Sequence, residues 1–148
     1  MILNDVIAAL DVLFTAAVDV PVFDVPDPSV INNDRFIVIG SEGEDDDGAT
    51  VDLTESTLGP GGWLDETGEV VCSVWAASGG TDLAARRNAA ATLTEACVAA
   101  VRNDRELGGL LVGAGVAGVS SLRYRLVQTP QGAFCRFSFS VSYQNLNT

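Results

Sequence analysis

The run Gly113-Ala114-Gly115-Val116-Ala117-Gly118 has the G-x-G-x-x-G spacing that can cradle the pyrophosphate of a dinucleotide. That chemistry needs a helix N-terminus directly after the glycines, and a carboxylate about 20 residues further on to hold the ribose. Leu110-Leu111-Val112 could supply the preceding strand, but the residues that follow alternate like a strand, and no Asp or Glu occurs after Glu106. The glycines therefore read as a loop or a strand edge. A second candidate is calcium binding at Glu44, Asp45, Asp46 and Asp47. Aligning Gly48 with the invariant glycine of an EF-hand puts Gly43 at the first ligand position and Thr54 at the twelfth, where carboxylates are required. Five acids in the six positions 42–47 instead read as an exposed, self-repelling loop. Asp65, Glu66 and Glu69 surround Thr67-Gly68 and read as the solvated tip of a turn, since no pocket is implied around them.

Covalent and acid–base catalysis has few tools in this chain. Histidine and lysine are both absent, so a base or nucleophile would have to be a carboxylate, a cysteine or a tyrosine. Cys72, Cys97 and Cys135 are widely spaced, odd in number and lack a CxxC pair. They suit neither a disulfide framework nor a zinc site, and their places on apolar faces suggest packing thiols. We therefore expect a protein that is not an enzyme and carries no cofactor or metal.

The charge distribution points towards contacts with other proteins. Sixteen of the 20 acids lie in residues 1–70, opposed there only by Arg35, for a local charge of −15. Residues 71–148 hold four acids and seven arginines, a local charge of +3. The acidic half repels nucleic acid and cannot release counterions from it. Two uses remain: contact between oppositely charged patches of neighbouring copies, or an acidic wall along which DNA slides without sticking. The N-terminus lacks the basic segment of a signal peptide, and no apolar run approaches the ~18 residues of a membrane span. Synthesis and assembly in a reducing cytoplasm are expected, with no membrane partner.

The elements that must position these residues follow from periodicity. Leu3, Val6, Ile7, Leu10, Phe14 and Ala17 recur at helical spacing, predicting a helix over about 3–18 that Pro21 ends. A short extended piece is expected at 20–25, a loop at Pro26 and Pro28, and a buried strand at 35–40. Residues 51–58 can form another strand, closed by a turn at 59–62. Residues 70–77 are apolar on both alternating faces, as in a central strand covered on both sides. Thr81 can cap a long helix reaching about residue 103, with Leu83, Ala90, Leu93, Cys97 and Val101 on its main face. Ala85, Ala89 and Ala96 make a small-residue flank open to close approach. Arg86 falls inside the apolar stripe on a helical wheel and should therefore require a carboxylate or carbonyl partner, in this chain or in a neighbouring copy. Leu122, Tyr124 and Leu126 alternate with Arg123, Arg125 and Val127. After a tight turn at 129–132, Cys135, Phe137, Phe139, Val141 and Tyr143 alternate with Arg136 and three serines. These two runs predict an antiparallel hairpin. The whole predicts one α+β domain spanning 1–148: a mostly antiparallel sheet, two helices packed on it, a C-terminal β-hairpin and an acidic insertion at 41–58.

Three groups of residues resemble the tail terminators (minor tail proteins) of actinobacterial siphophages. The first is Cys72-Ser73-Val74-Trp75-Ala76-Ala77-Ser78-Gly79 followed by Asp82, Ala85, Arg87 and Ala90. The second is Arg102-Asn103-Asp104 with Leu107-Gly108-Gly109, and the third is Gln128-Thr129-Pro130-Gln131-Gly132-Ala133 with Arg136, Phe137, Phe139 and Val141. The resemblance covers residues 63–144 by motif and 1–18 by layout; the acidic 41–58 segment matches nothing in it. Gln144-Asn145 stand where that family often carries a basic residue. The resemblance implies a sixfold ring at the head-proximal end of a virion tail. Such a ring caps the tail tube and meets the head-completion proteins, with the genome passing through without specific binding. Closing a ring requires two different patches of one subunit to meet. For those patches the sequence offers Arg86, Arg87, Arg123, Arg125, Arg136 and Trp75 on one side, and Glu44, Asp45, Asp46 and Asp47 for an acidic lumen or interface. Alternatives are another connector layer, a tail-tube subunit, or, from a different class, a small cytoplasmic enzyme or ligand-binding domain.

Overall fold

The structure, a computed structural model, describes residues 1–24, 34–41, 48–56, 63–77, 83–113, 115–129 and 132–146. Its elements run α1 (Leu3–Ala17), β1 (Val22–Phe23), β2 (Arg35–Ile39), β3 (Ala49–Ser56), β4 (Trp63–Ala77), α2 (Leu83–Asn103), β5 (Ala117–Thr129) and β6 (Gly132–Asn145). The loop at Pro26 and Pro28, the Glu44–Asp47 run, the turn at 59–62, the Thr81 cap and the Pro130-Gln131 turn lie outside the described residues.

The six strands form one sheet in the order β1-β2-β4-β6-β5, with β3 also pairing to β4. All pairings are antiparallel except β1 with β2. β4 is the spine: Cys72–Ala76 pair with β2, Trp63–Val70 pair with β3, and nearly its whole length pairs with β6. Both helices pack on one face. Val6, Leu10 and Phe14 of α1 and Ala90, Leu93, Cys97 and Val101 of α2 join Ile37, Ile39, Val70, Cys72, Val74, Phe139, Val141 and Tyr143 in the main core. Phe14 meets Phe139 edge-to-face at 6.1 Å between ring centroids. This is the predicted α+β arrangement, and alternation along each strand sends every second side chain to the helices.

The opposite sheet face is also apolar near its centre. Phe36, Val38, Trp75 and Phe134 form a second buried cluster, with Phe36 and Trp75 stacked at 5.7 Å and Phe134 edge-on to both. Burial on both faces of residues 70–77 agrees with their unbroken apolar composition. The polar Ser73 within it is satisfied twice: its hydroxyl donates to the Ser41 carbonyl at 2.7 Å and accepts the Trp75 indole N–H at 2.8 Å.

Two turns explain sequence features. After α2, the Asp104 carboxylate accepts the Gly108 N–H at 2.9 and 3.0 Å. Leu107, Gly108 and Gly109 all have positive φ (52°, 71° and 88°), which glycine adopts freely. Leu107 accepts the strained geometry because its side chain is buried in the core. This turn is what the Asp104/Leu107-Gly108-Gly109 motif builds, and it brings Ala117 to the start of β5. The glycines at 113–118 thus lead into a strand, as the residues after them suggested.

The segment at Asp65–Glu69 corrects the reading of a solvated turn. Thr67 and Gly68 lie in mid-strand in β4, and Glu66 is only 3% exposed. Its carboxylate accepts the Tyr143 hydroxyl at 2.7 Å and the Ile2 backbone N–H at 3.1 Å to each oxygen, with the Met1 ammonium 3.8 Å away. Helix α1 has no side-chain cap of its own, so a carboxylate from the sheet satisfies an otherwise orphaned amide at its positive end. The turn reading failed because these partners lie 64 and 77 residues away in sequence.

The three cysteines are free and buried. Burial pushes the Cys97 thiol from 9.0 up to about 12, and it raises Cys72 further, with Cys97 alongside adding to the effect. Burial and the bond to Glu66 also raise Tyr143 above the usual phenol range. In the fold these groups hold their protons to higher pH than in the unfolded chain. Stability is therefore full below about pH 9 and falls as pH rises towards 12, by about 1.4 kcal/mol per pH unit for each thiol. Denaturant titrations at pH 8 and pH 11 should show this loss; equal midpoints would contradict it. At pH 8 a maleimide should label no cysteine of the folded protein and all three in denaturant.

Candidate interaction surface

Among the described residues strand β5 ends the sheet, and its side chains are set by a bulge. Ser120 pairs with Ser140 and Arg123 with Ser138, so β5 carries one residue more than β6 over this interval, with Ser121 at φ 57°. Before the bulge, Ala117 and Val119 point to the helix side with their partners Tyr143 and Val141. After it the parity switches: Tyr124 and Leu126 share that side with Phe137 and Cys135, while Arg123 and Arg125 lie on the opposite face. The extra residue thus decides which side of the strand is charged.

The register aligns the predicted residues into rows across the sheet. Phe36, Trp75, Arg136 and Arg125 are successive cross-strand partners on β2, β4, β6 and β5. The Arg136 guanidinium sits 5.6 Å from the Trp75 ring centroid, a cation–π contact. Both residues are covered by the chain itself, at 4% and 7% exposure, whereas Arg125 and Arg123 at the edge are exposed. The structure therefore gathers four of the six non-acidic candidates on one face, two buried and two outward.

Arg86 and Arg87 lie in the first two turns of α2, where residues 83–88 are all exposed. The placement of Arg86 inside the apolar stripe is thereby corrected. The helical wheel placed it on the apolar stripe, but burial of α2 begins only near Ala90, so water solvates the guanidinium. Arg87 reaches across to the Tyr124 hydroxyl on the helix side of β5. That hydroxyl also donates to the Cys135 sulfur at 3.7 Å, and the Tyr124 ring lies 5.0 Å from Phe137. The acidic candidates Glu44, Asp45, Asp46 and Asp47 fall outside the described residues.

Sequence reading overlooked the apolar row between the arginines. Leu122, Tyr124 and Leu126 are 60%, 43% and 50% exposed, the densest set of exposed large apolar side chains among the described residues. Leu122 also borders an open groove of about 500 Å³ between α2 and β5, shared with Val98, Arg102 and Ser120. The signal was present in the alternation itself, but alternation does not say whether anything covers the row, and beside α2 it stays open.

No protein-family model matches the sequence, and neither does any curated protein. Among solved structures the chain is similar to the sheath/tube terminator of an extracellular contractile injection system, determined in its extended state by cryo-electron microscopy. The identity is 17% and the TM-score 0.47, over 99% of this chain and 57% of that one, so this chain spans little more than half of that protein's length.

Proposed function

We propose that this chain is a structural, non-catalytic virion subunit: the tail terminator of a long-tailed phage, which closes into a ring, caps the tail tube and meets the head-completion proteins. The observation that carries this reading is the terminal strand β5. It leaves Leu122, Tyr124 and Leu126 exposed on one face and sets Arg123 and Arg125 on the other. A chain working alone usually blunts such an edge, and a subunit uses it for a neighbour. The motifs that resemble tail terminators support the same reading. They converge on one unit: the end of β4, the start of α2, the Asp104–Gly109 turn and the β5–β6 hairpin.

Native mass spectrometry and negative-stain imaging of the purified protein test the proposal. Closed rings of about six copies that bind the ends of tail tubes are expected, by the logic of a heterologous contact that closes. Open filaments would instead fit a tube subunit, and a monomer at high concentration would refute the assignment.

A further inference from the structure

The sheet has two different margins, one formed by β5 and the other by β3 and β1. Among the described residues, β5 pairs only with β6, and β3 pairs only with β4 on the opposite side of the sheet. We propose that neighbouring copies join through these edges, β3 of one copy adding antiparallel to β5 of the next, so that one sheet runs on around the assembly. This rests on the ring reading and specifies its contact.

Three observations support it. First, the contact joins two unlike patches of one chain, which is what ring closure demands. Second, the apolar rows match. Leu53 of β3 registers with Glu66, and Val70 of the same β4 face lies in the core under the helices, so Leu53 lies on the helix side and is 49% exposed. Leu122, Tyr124 and Leu126 occupy the same side of β5. A sheet continued across the junction keeps its faces, so these side chains meet each other. Third, the charged rows match on the other face. Asp52 of β3, with Glu69 and Asp65 of the adjoining β4, shares the face that carries Arg123 and Arg125 on β5. A copy turned over would set leucines against arginines. Backbone hydrogen bonds supply the affinity in such strand addition, and alternate side chains supply its specificity.

The test uses Leu53→Cys and Leu126→Cys in the full chain with a short bis-maleimide, the native thiols being buried. Within one chain these positions cannot be bridged. Leu53 registers through Glu66 and Leu126 through Cys135 with Ala76, ten residues apart along β4, or about 33 Å. The double variant should give a ladder of covalent multimers up to the ring size. Each single variant should stay monomeric on a denaturing gel, and a mixture of the two should stop at dimers. Rings by native mass spectrometry without a ladder would overturn the edge contact and leave the ring reading standing; no rings and no ladder would overturn both. If the cysteine variants do not fold, Arg123→Glu/Arg125→Glu should weaken assembly at least about tenfold. An unchanged ring population would overturn the proposal.

Discussion

Phe14→Ala is expected to lower stability by about 3–5 kcal/mol, the usual cost of emptying a fully buried aromatic site. Phe14 has no solvent exposure and packs edge-to-face on Phe139 of β6, between Leu10 of its own helix and the sheet. It lies at the end of α1 opposite to the Glu66 contact, so the helix is held at both ends by different means: a ring in the core and a carboxylate on a backbone amide. Removing the ring leaves a cavity that α1 cannot close without pulling its first turn off Glu66. With a urea dependence of about 2 kcal/mol per molar, the unfolding midpoint should drop by about 2 M. A drop under about 0.5 M would mean that α1 is not clamped to the sheet at this point.

Gly68→Val is expected to cost about 2–6 kcal/mol through a different route. Gly68 is the cross-strand partner of Tyr143, and a Cβ at this position would collide with the far end of the Tyr143 ring. The ring cannot swing away freely, because it is 1% exposed and its hydroxyl bonds to Glu66. Overpacking costs about 1–3 kcal/mol, and displacing the hydroxyl leaves a buried carboxylate short of a donor, for about 1–3 kcal/mol more. The two terms share one cause, so they should not be additive with loss of the ring. In a Tyr143→Ala background the same glycine substitution should cost less than half as much. Equal costs in both backgrounds would show that the tyrosine is not what the glycine makes room for.

These sites mark how far the sequence alone reaches. Helical spacing gave α1 and α2 almost to the residue, because each buries a continuous stripe on the sheet, and unbroken alternation gave β6. Composition gave β2 and the second half of β4, where both faces are apolar. The first half of β4 was missed because Asp65, Glu66, Thr67, Gly68 and Glu69 look locally like a turn; their strand character comes from β3 and β6, and the acceptability of Glu66 comes from Tyr143 and the start of α1. The beginning of β5 was missed for a geometric reason: the bulge at Ser120–Arg123 shifts the alternation by one, and a period-2 pattern with a slipped phase cancels over a window. Arg86 was misplaced because a helical wheel shows which residues share a side, but not how far along the helix the sheet extends.

Of the interaction surface, the arginine row on the hairpin was legible in the alternation of Arg123, Arg125 and Arg136. What could not be read was depth. Arg136 and Trp75 share that row yet lie under cover, because they sit on interior strands, while Arg123 and Arg125 stand on the terminal one.

The positions of the β3 and β5 edges bear on the shape of any assembly built from them. β3 borders the first half of β4, whereas the exposed end of β5 lies level with the second half. Copies joined through those margins are displaced lengthwise as well as sideways, like barrel staves set out of step. A level hoop then forms only if each stave leans away from the central axis, as strands do in closed barrels. The inner wall of such a hoop would be obliquely ribbed, and all its ribs would slope in the same sense.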